Sequence, residues 1–282
     1  MKIKILNILI LAWLCSTSCA FASPVITNYI DTTLLAENKS SQPLLEMSTI
    51  IPSNVIFPIS LEANRDQSID YIHKFSEKRR NFLVNTYKQG KKIFPKVTAI
   101  LKRFGLPEEL KVLIALESGF NANAVSRVGA VGYWQIMDDV AKEYGLKIVN
   151  GNETGIDNKK KDDRKNFAKS TLAAARYLKD RCKNLDNDLL LIVAAYNWGV
   201  GNIWNVMSRS GKSNPTFWDI KKYLPVETRN YVMNFITLNV IFKNYDTFSK
   251  NSLVFTSKTI RTLNTASSSI DSDSSTSTST LE

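Results

Sequence analysis

A single glutamate at the end of an apolar segment is the residue of this sequence best suited to act as an acid. Glu117 follows the apolar stretch 106–116, in which Leu110, Leu113 and Ile114 precede it by seven, four and three residues. This spacing places the carboxyl group on the buried stripe of a helix. Burial raises the pKa of a carboxyl group, and an acid that stays protonated near neutral pH can serve in sugar cleavage. On composition alone, an exposed helix-end glutamate is the commoner case.

Further motifs follow this glutamate along the chain. Glu-Ser-Gly-Phe-Asn begins at Glu117, and a glycine-containing stretch occupies residues 124–137. Ala-Ala-Tyr-Asn-Trp-Gly spans 194–199, and Glu-Thr-Arg-Asn-Tyr-Val spans 227–232. In this order and spacing the motifs resemble the soluble-type lytic transglycosylase (SLT) domain family, over roughly residues 62–245. The resemblance implies an all-α, lysozyme-like transglycosylase domain with an N-terminal helical extension.

The resemblance also implies a reaction. Glu117 would protonate the glycosidic oxygen between N-acetylmuramic acid and N-acetylglucosamine in peptidoglycan. The resulting carboxylate would take the proton from the C6 hydroxyl, which attacks C1 of the same muramic ring and leaves a 1,6-anhydro end. Glycosidases commonly use two carboxylates, with substrate-assisted enzymes as exceptions. Here the substrate's acetamido group is expected to replace the second carboxylate.

Six further positions match residues that line the sugar-binding groove in this family. Tyr196 is expected beside the acid, where its hydroxyl would stabilise the carboxylate or the acetamido carbonyl. The open alternatives are structural: a turn serine that binds its own backbone, a glutamine satisfied by backbone, and an asparagine that fixes a turn. Trp134 is expected in the core. The substrate-binding candidates are Ser126, Gln135, Met137, Tyr196, Asn197 and Tyr231.

Two acidic residues depart from the family pattern. Asp138 and Asp139 stand where the family usually has Pro followed by Ser or Thr, and either is expected to cap the following helix. They also leave a hydrolase of the same fold open, because one of them could position a water. A catalytically idle peptidoglycan-binding module is the alternative from another class.

Composition narrows the possible chemistry. The chain has 282 residues, a net charge of +11 and one histidine, His73, which argues against a multi-histidine metal cluster. No cofactor or metal is expected. The positive charge suits an anionic partner such as peptidoglycan, with association at a membrane or cell-wall surface, and no nucleic-acid motif accompanies it. Cys182 is expected to pack as a core thiol.

The two ends of the chain differ from its middle in composition. Residues 1–22 have a basic start, an apolar run and a small-x-small site, as in an export signal, which predicts the periplasm or cell envelope. Lipid attachment at Cys19, with outer-membrane association, is a poorer match. Residues 23–61 are expected to form a linker or loosely packed arm, 62–248 the transglycosylase domain, and 249–282 a disordered Ser/Thr-rich tail.

Apolar periodicity and capping residues predict the helices that must position these groups. Asn166 is expected to cap a long helix, and Asp188 precedes an apolar run. The predicted helices span 65–76, 77–91, 93–104, 107–118, 138–144, 166–183 and 227–245.

Overall fold

The computed structural model describes residues 46–149, 162–256 and 258–263. The predicted export signal and Cys19 lie outside the described residues, as do most of the predicted arm and tail. The chain divides into two compact units, and the larger one contains residues 54–255. The other unit contains an antiparallel pair of strands, β1 (Glu46–Ile51) and β2 (Lys258–Leu263), with Glu46 opposite Leu263.

The regular elements of the larger unit are all helices in the part that the structure describes, which confirms the all-α prediction. Short 3₁₀ turns occupy Ile59–Asn64, Glu108–Val112, Asp163–Lys165 and Lys221–Tyr223. The α-helices are α1 Arg65–Lys78, α2 Arg80–Gly90, α3 Phe94–Arg103, α4 Leu113–Ser118, α5 Asp138–Glu143, α6 Phe167–Asn184, α7 Leu189–Trp198, α8 Val200–Arg209, α9 Phe217–Ile220, α10 Val226–Lys243 and α11 Tyr245–Ser249.

Two helices form the centre of the core. Helix α7 is buried without interruption from Leu190 to Ala195, and α10 packs against α1, α4 and α7. A helix that is apolar on all sides must be surrounded by other elements. Cys182 of α6 is buried in this core, as predicted. None of the described helices has the length and apolar character needed to cross a membrane.

The caps explain which predicted boundaries hold. The Asn166 side chain accepts from the Lys169 amide, so this predicted cap is confirmed. Asp188, predicted only to precede an apolar run, caps α7 by accepting from the amides of Leu190 and Leu191. The prediction that Asp138 or Asp139 caps α5 is wrong. Met137 is the N-cap residue, without a side-chain cap, and the two acids lie in the first turn of the helix.

The predicted helix over 107–118 is divided in the structure. Pro107 precedes a 3₁₀ turn in which the Leu110 amide donates to the Pro107 carbonyl, and α4 begins only at Leu113. Proline lacks an amide proton and suits the start of such a segment. Leu110, Leu113 and Ile114 are nevertheless all buried, so the predicted apolar stripe is present.

The compact unit is longer than the predicted 62–248. Val55 and Phe57 are buried, and the Asn54 amide donates to the Val254 carbonyl at 3.0 Å. Phe255 is also buried and stacks on His73, with ring centroids 4.8 Å apart. The compact unit therefore includes the last residues of the expected arm, which was predicted to end at residue 61, and the first residues of the expected tail, which was predicted to begin at residue 249. These apolar residues are too few and too irregularly spaced to show a helical or strand period.

Candidate active site

Glu117 lies near the end of helix α4, next to a loop that is hydrogen-bonded back to this helix. Gly119 ends the helix in the left-handed region, at φ 57°, a conformation that glycine adopts without penalty. The Ser118 hydroxyl donates to the Tyr133 carbonyl at 2.8 Å. Residues 119–137, the site loop below, are thus joined to the helix that carries Glu117.

Glu117 is paired with a tyrosine from α10. The Tyr231 hydroxyl donates to Oε1 of Glu117 at 2.5 Å, and Tyr231 is only 3% exposed. Burial raises the pKa of Glu117 to about 8, although the Tyr231 hydrogen bond acts in the opposite direction. The carboxyl group is therefore mainly protonated at neutral pH, which confirms the predicted direction of the shift.

Tyr196 lies near the acid but bonds elsewhere. Its hydroxyl donates to the Trp134 carbonyl at 2.8 Å, so the expected hydrogen bond from Tyr196 to the Glu117 carboxylate is wrong. Burial, and then the Glu117 charge, raise the pKa of Tyr196. Sequence reasoning could name both tyrosines as groove residues, but their distance in sequence from Glu117 gave no sign of which one bonds the carboxyl group.

Ser126 and Gln135 organise the site loop. The Ser126 hydroxyl accepts from the Ala130 amide at 2.9 Å, as a turn serine does. The Gln135 side-chain amide donates to the carbonyls of Ala124 and Gly132. These contacts correspond to the structural alternatives for both residues, and their contact with substrate stays a prediction.

Asn197 and Met137 differ in how deeply they are buried. Asn197 is 5% exposed, and its side-chain oxygen accepts from the Thr228 hydroxyl at 2.9 Å. It joins α7 to α10 in the interior, which corresponds to its structural alternative, and its contact with sugar stays a prediction. Met137 is half-buried immediately before α5, and its role in the groove stays a prediction.

Two aromatic residues pack in or near the site loop, of which one was predicted from the sequence and the other was missed. Trp134 is fully buried, as predicted, and its indole N–H donates to the Thr171 hydroxyl at 3.0 Å. Tyr177 of α6 was missed, although its ring meets that of Tyr196 edge-on at 5.6 Å. A tyrosine on an otherwise apolar helix stripe is a weak signal, because a polar tip is common in a core. Within the described residues, no acidic, His or Cys cluster is arranged to hold a metal.

Two glycines of the site loop differ in what surrounds them. Both have positive φ, but a Cβ on Gly132 would lie 2.1 Å from the Arg164 carbonyl oxygen, whereas one on Gly129 would meet nothing within 4 Å. The close approach at Gly132 is therefore to the chain's own backbone.

This contrast gives a matched pair of variants. We expect Gly129→Ala to cost about 1–2 kcal/mol of unfolding free energy from the positive φ alone. Gly132→Ala adds a backbone clash, so we expect at least about 1–3 kcal/mol more. Denaturant unfolding of both variants measures the difference. Equal losses would show that the Arg164 contact is not tight.

The raised pKa of Glu117 also predicts a pH dependence of stability. The pKa of Glu117 is about 8 in the folded state and about 4.5 for a free side chain. Because the folded pKa is the higher one, the stabilisation is complete below about pH 4.5 and is lost as the pH rises through 8. We expect Glu117→Gln to reduce the fall in unfolding free energy across this window. Parallel curves for the two proteins, measured by urea unfolding, would contradict it.

Comparison with known proteins gives the same family as the motifs. Residues 97–217 match the family described as Transglycosylase SLT domain. The chain is 35% identical over 147 residues to membrane-bound lytic murein transglycosylase D of Escherichia coli strain K12, an alignment that covers 51% of this chain and 30% of the relative. It is 32% identical over 126 residues to an Alteromonas protein named for tributyltin chloride resistance, covering 44% of this chain and 56% of that protein.

Solved structures of two transglycosylases align less closely. An inactive mutant of the lytic transglycosylase Slt from Pseudomonas aeruginosa gives a TM-score of 0.41 at 21% identity, over 56% of this chain and 24% of that one. The 70 kDa soluble lytic transglycosylase of Escherichia coli gives 0.42 at 17% identity, over 66% and 32%.

The matched region is central to the site. The chain spans less than two-thirds of the length of either curated relative described above. The matched residues nevertheless include Glu117, the site loop and Tyr196. These residues match the transglycosylase SLT domain family.

Proposed function

We propose that this protein is a peptidoglycan lytic transglycosylase with Glu117 as its acid and base. The observation that carries the proposal is the Glu117–Tyr231 pair, in which the carboxyl group of a half-buried glutamate, with a pKa of about 8, accepts a hydrogen bond at 2.5 Å. A general acid is most effective when its pKa lies near the working pH. The names of the relatives that share the domain supply the substrate class.

The proposed reaction has two proton transfers. Glu117 gives its proton to the oxygen that leaves C1 of N-acetylmuramic acid, and the substrate's acetamido oxygen stabilises the positive charge that develops on that carbon. The Glu117 carboxylate then takes the proton of the C6 hydroxyl as its oxygen bonds to C1. The carboxyl group ends protonated, a 1,6-anhydro end forms, and no water is consumed. Tyr231 would stabilise the carboxylate between the two transfers.

The hydrolase alternative has less support from the geometry. It requires a carboxylate free to orient water. Asp138 is instead engaged in an ion pair with Arg164. Asp139 is exposed on the first turn of α5, and α5 begins only after the site loop has ended.

Analysis of the sugar ends released from purified sacculi tests the function. We expect 1,6-anhydro ends from the wild-type protein, detected by mass spectrometry. Reducing ends would indicate a hydrolase, and binding without release would indicate an idle peptidoglycan-binding module. A cell-envelope location, with association of the basic surface at the membrane or wall, is part of the same proposal, and fractionation of cells that produce the full chain measures it.

A further inference from the structure

A buried arginine that follows the site loop in the chain contacts this loop. Arg164 is 4% exposed. Its Nε and Nη2 atoms donate to the Asp162 carboxylate, at 3.0 and 2.7 Å for the shortest contacts. Its Nη1 atom pairs with Asp138. A buried charge of this kind is tolerated only when it is fully paired.

Arg164 also contacts the backbone of the site loop. Nη1 of Arg164 lies 3.4 Å from the carbonyl oxygen of Ile136 and 3.5 Å from that of Gly129. The Arg164 carbonyl packs directly on Gly132, where no Cβ would fit. Arg164 therefore touches the loop near its middle and at its end, through both side chain and backbone.

The site loop also contacts residues next to Glu117. Tyr133 accepts from Ser118, the residue next to Glu117, and Trp134 accepts from Tyr196. The site loop is thus bonded both to Arg164 and to the helix that carries Glu117. A shift at Arg164 would therefore move the loop residues that are bonded next to Glu117.

We propose that Arg164 is a positioning residue that holds the site loop against Glu117, and that Asp138 fixes the orientation of its guanidinium. The proposal rests on the proposed function for its kinetic consequence. Asp162 occupies one edge of the planar fork, which leaves Nη1 to be shared between Asp138 and the loop carbonyls. Lysine, a point charge without a fork, could not satisfy these partners together.

Asp138 offers a mild way to test this role. Its side chain is 46% exposed, and Asp138→Asn leaves the buried Arg164–Asp162 pair intact, so the variant should fold. Asp139→Asn is the matched control, since it removes the same charge from the neighbouring exposed position. Amide hydrogen exchange on the full chain reads the loop without substrate, at the bonded amides of Val131, Gly132, Gln135 and Ile136.

We expect Asp138→Asn to speed exchange at these loop amides and to lower kcat/KM on sacculi, each by about two- to fivefold, the upper range of a partly exposed ion pair. The basic limb of its pH–rate profile should stay in place, because Glu117 keeps its own partner. Asp139→Asn should match the wild-type protein in all three measurements. Arg164→Lys should exceed the effect of Asp138→Asn.

The proposal would be overturned if the loop amides of Asp138→Asn exchanged at the wild-type rate. It would also be overturned if Asp138→Asn and Asp139→Asn lost kcat/KM equally. A shifted basic limb in Asp138→Asn would also overturn it, since Asp138 would then act on the charge of Glu117 rather than on loop position. If wild-type protein released no anhydro ends while loop exchange still rose in Asp138→Asn, the proposed function would fail and the structural role of Arg164 would stand.

Discussion

We expect the Glu117→Gln variant to fold as the wild-type protein does and to lose about 10²–10⁴-fold in the rate of sacculus cleavage, the usual contribution of a general acid–base group. Glutamine keeps the shape of the side chain, and its carbonyl can still accept from Tyr231. It cannot give or take the proton that both steps of the proposed reaction need. Turbidity loss of purified sacculi measures the rate.

A second glutamate supplies the control for this variant. Glu108 is exposed and lies in the 3₁₀ turn before α4, so Glu108→Gln makes the same chemical change close to the site. We expect Glu108→Gln to retain wild-type activity. Similar activity in all three proteins would remove Glu117 from the mechanism.

Removing the Tyr231 hydroxyl should shift the pH dependence of the reaction. The basic limb of kcat/KM reports ionisation of the acid in the free protein, so we expect it near pH 8 in the wild-type protein. Tyr231→Phe removes a hydrogen bond that favours the carboxylate. The pKa of Glu117 should rise by about one unit, as expected for a hydrogen bond to a charged group. The limb should move to higher pH, with a lower maximal rate.

Tyr196→Phe separates this effect from a general change of the site. The Tyr196 hydroxyl bonds the Trp134 carbonyl, so its loss should cost about 1–2 kcal/mol of unfolding free energy and leave the basic limb in place. A limb that moves in Tyr196→Phe and stays in Tyr231→Phe would reverse the two assignments.

The sequence was informative wherever one segment contained its own signal. The apolar spacing before Glu117 predicted the burial of its stripe, and the side chains of Asn166 and Asp188 predicted two helix starts. These features depend on neighbours within a few residues, which a pattern can reveal. The motifs placed Glu117, Tyr196 and Tyr231 in one groove because they resemble a family.

The pairings between distant segments could not be predicted in this way. The sequence around Tyr196 and Tyr231 does not show which hydroxyl reaches Glu117, because the packing of α10 against α4 decides it. Asn197 was predicted to line the groove, but its side chain has a hydrogen-bond partner, Thr228, inside the core. Arg164 appeared in a run of charges typical of a solvated loop, and nothing local indicates that Asp162 and Asp138 enclose it.

Cleavage of sacculi in water enriched in ¹⁸O is the most direct test of Glu117 acting as acid and then base in an intramolecular transfer. In the proposed reaction the C6 oxygen of the substrate attacks C1, so no solvent oxygen enters the product. We predict 1,6-anhydro ends without ¹⁸O from the wild-type protein, and no such ends above background from Glu117→Gln. Reducing ends that carry ¹⁸O at C1 would contradict the account and identify a hydrolase.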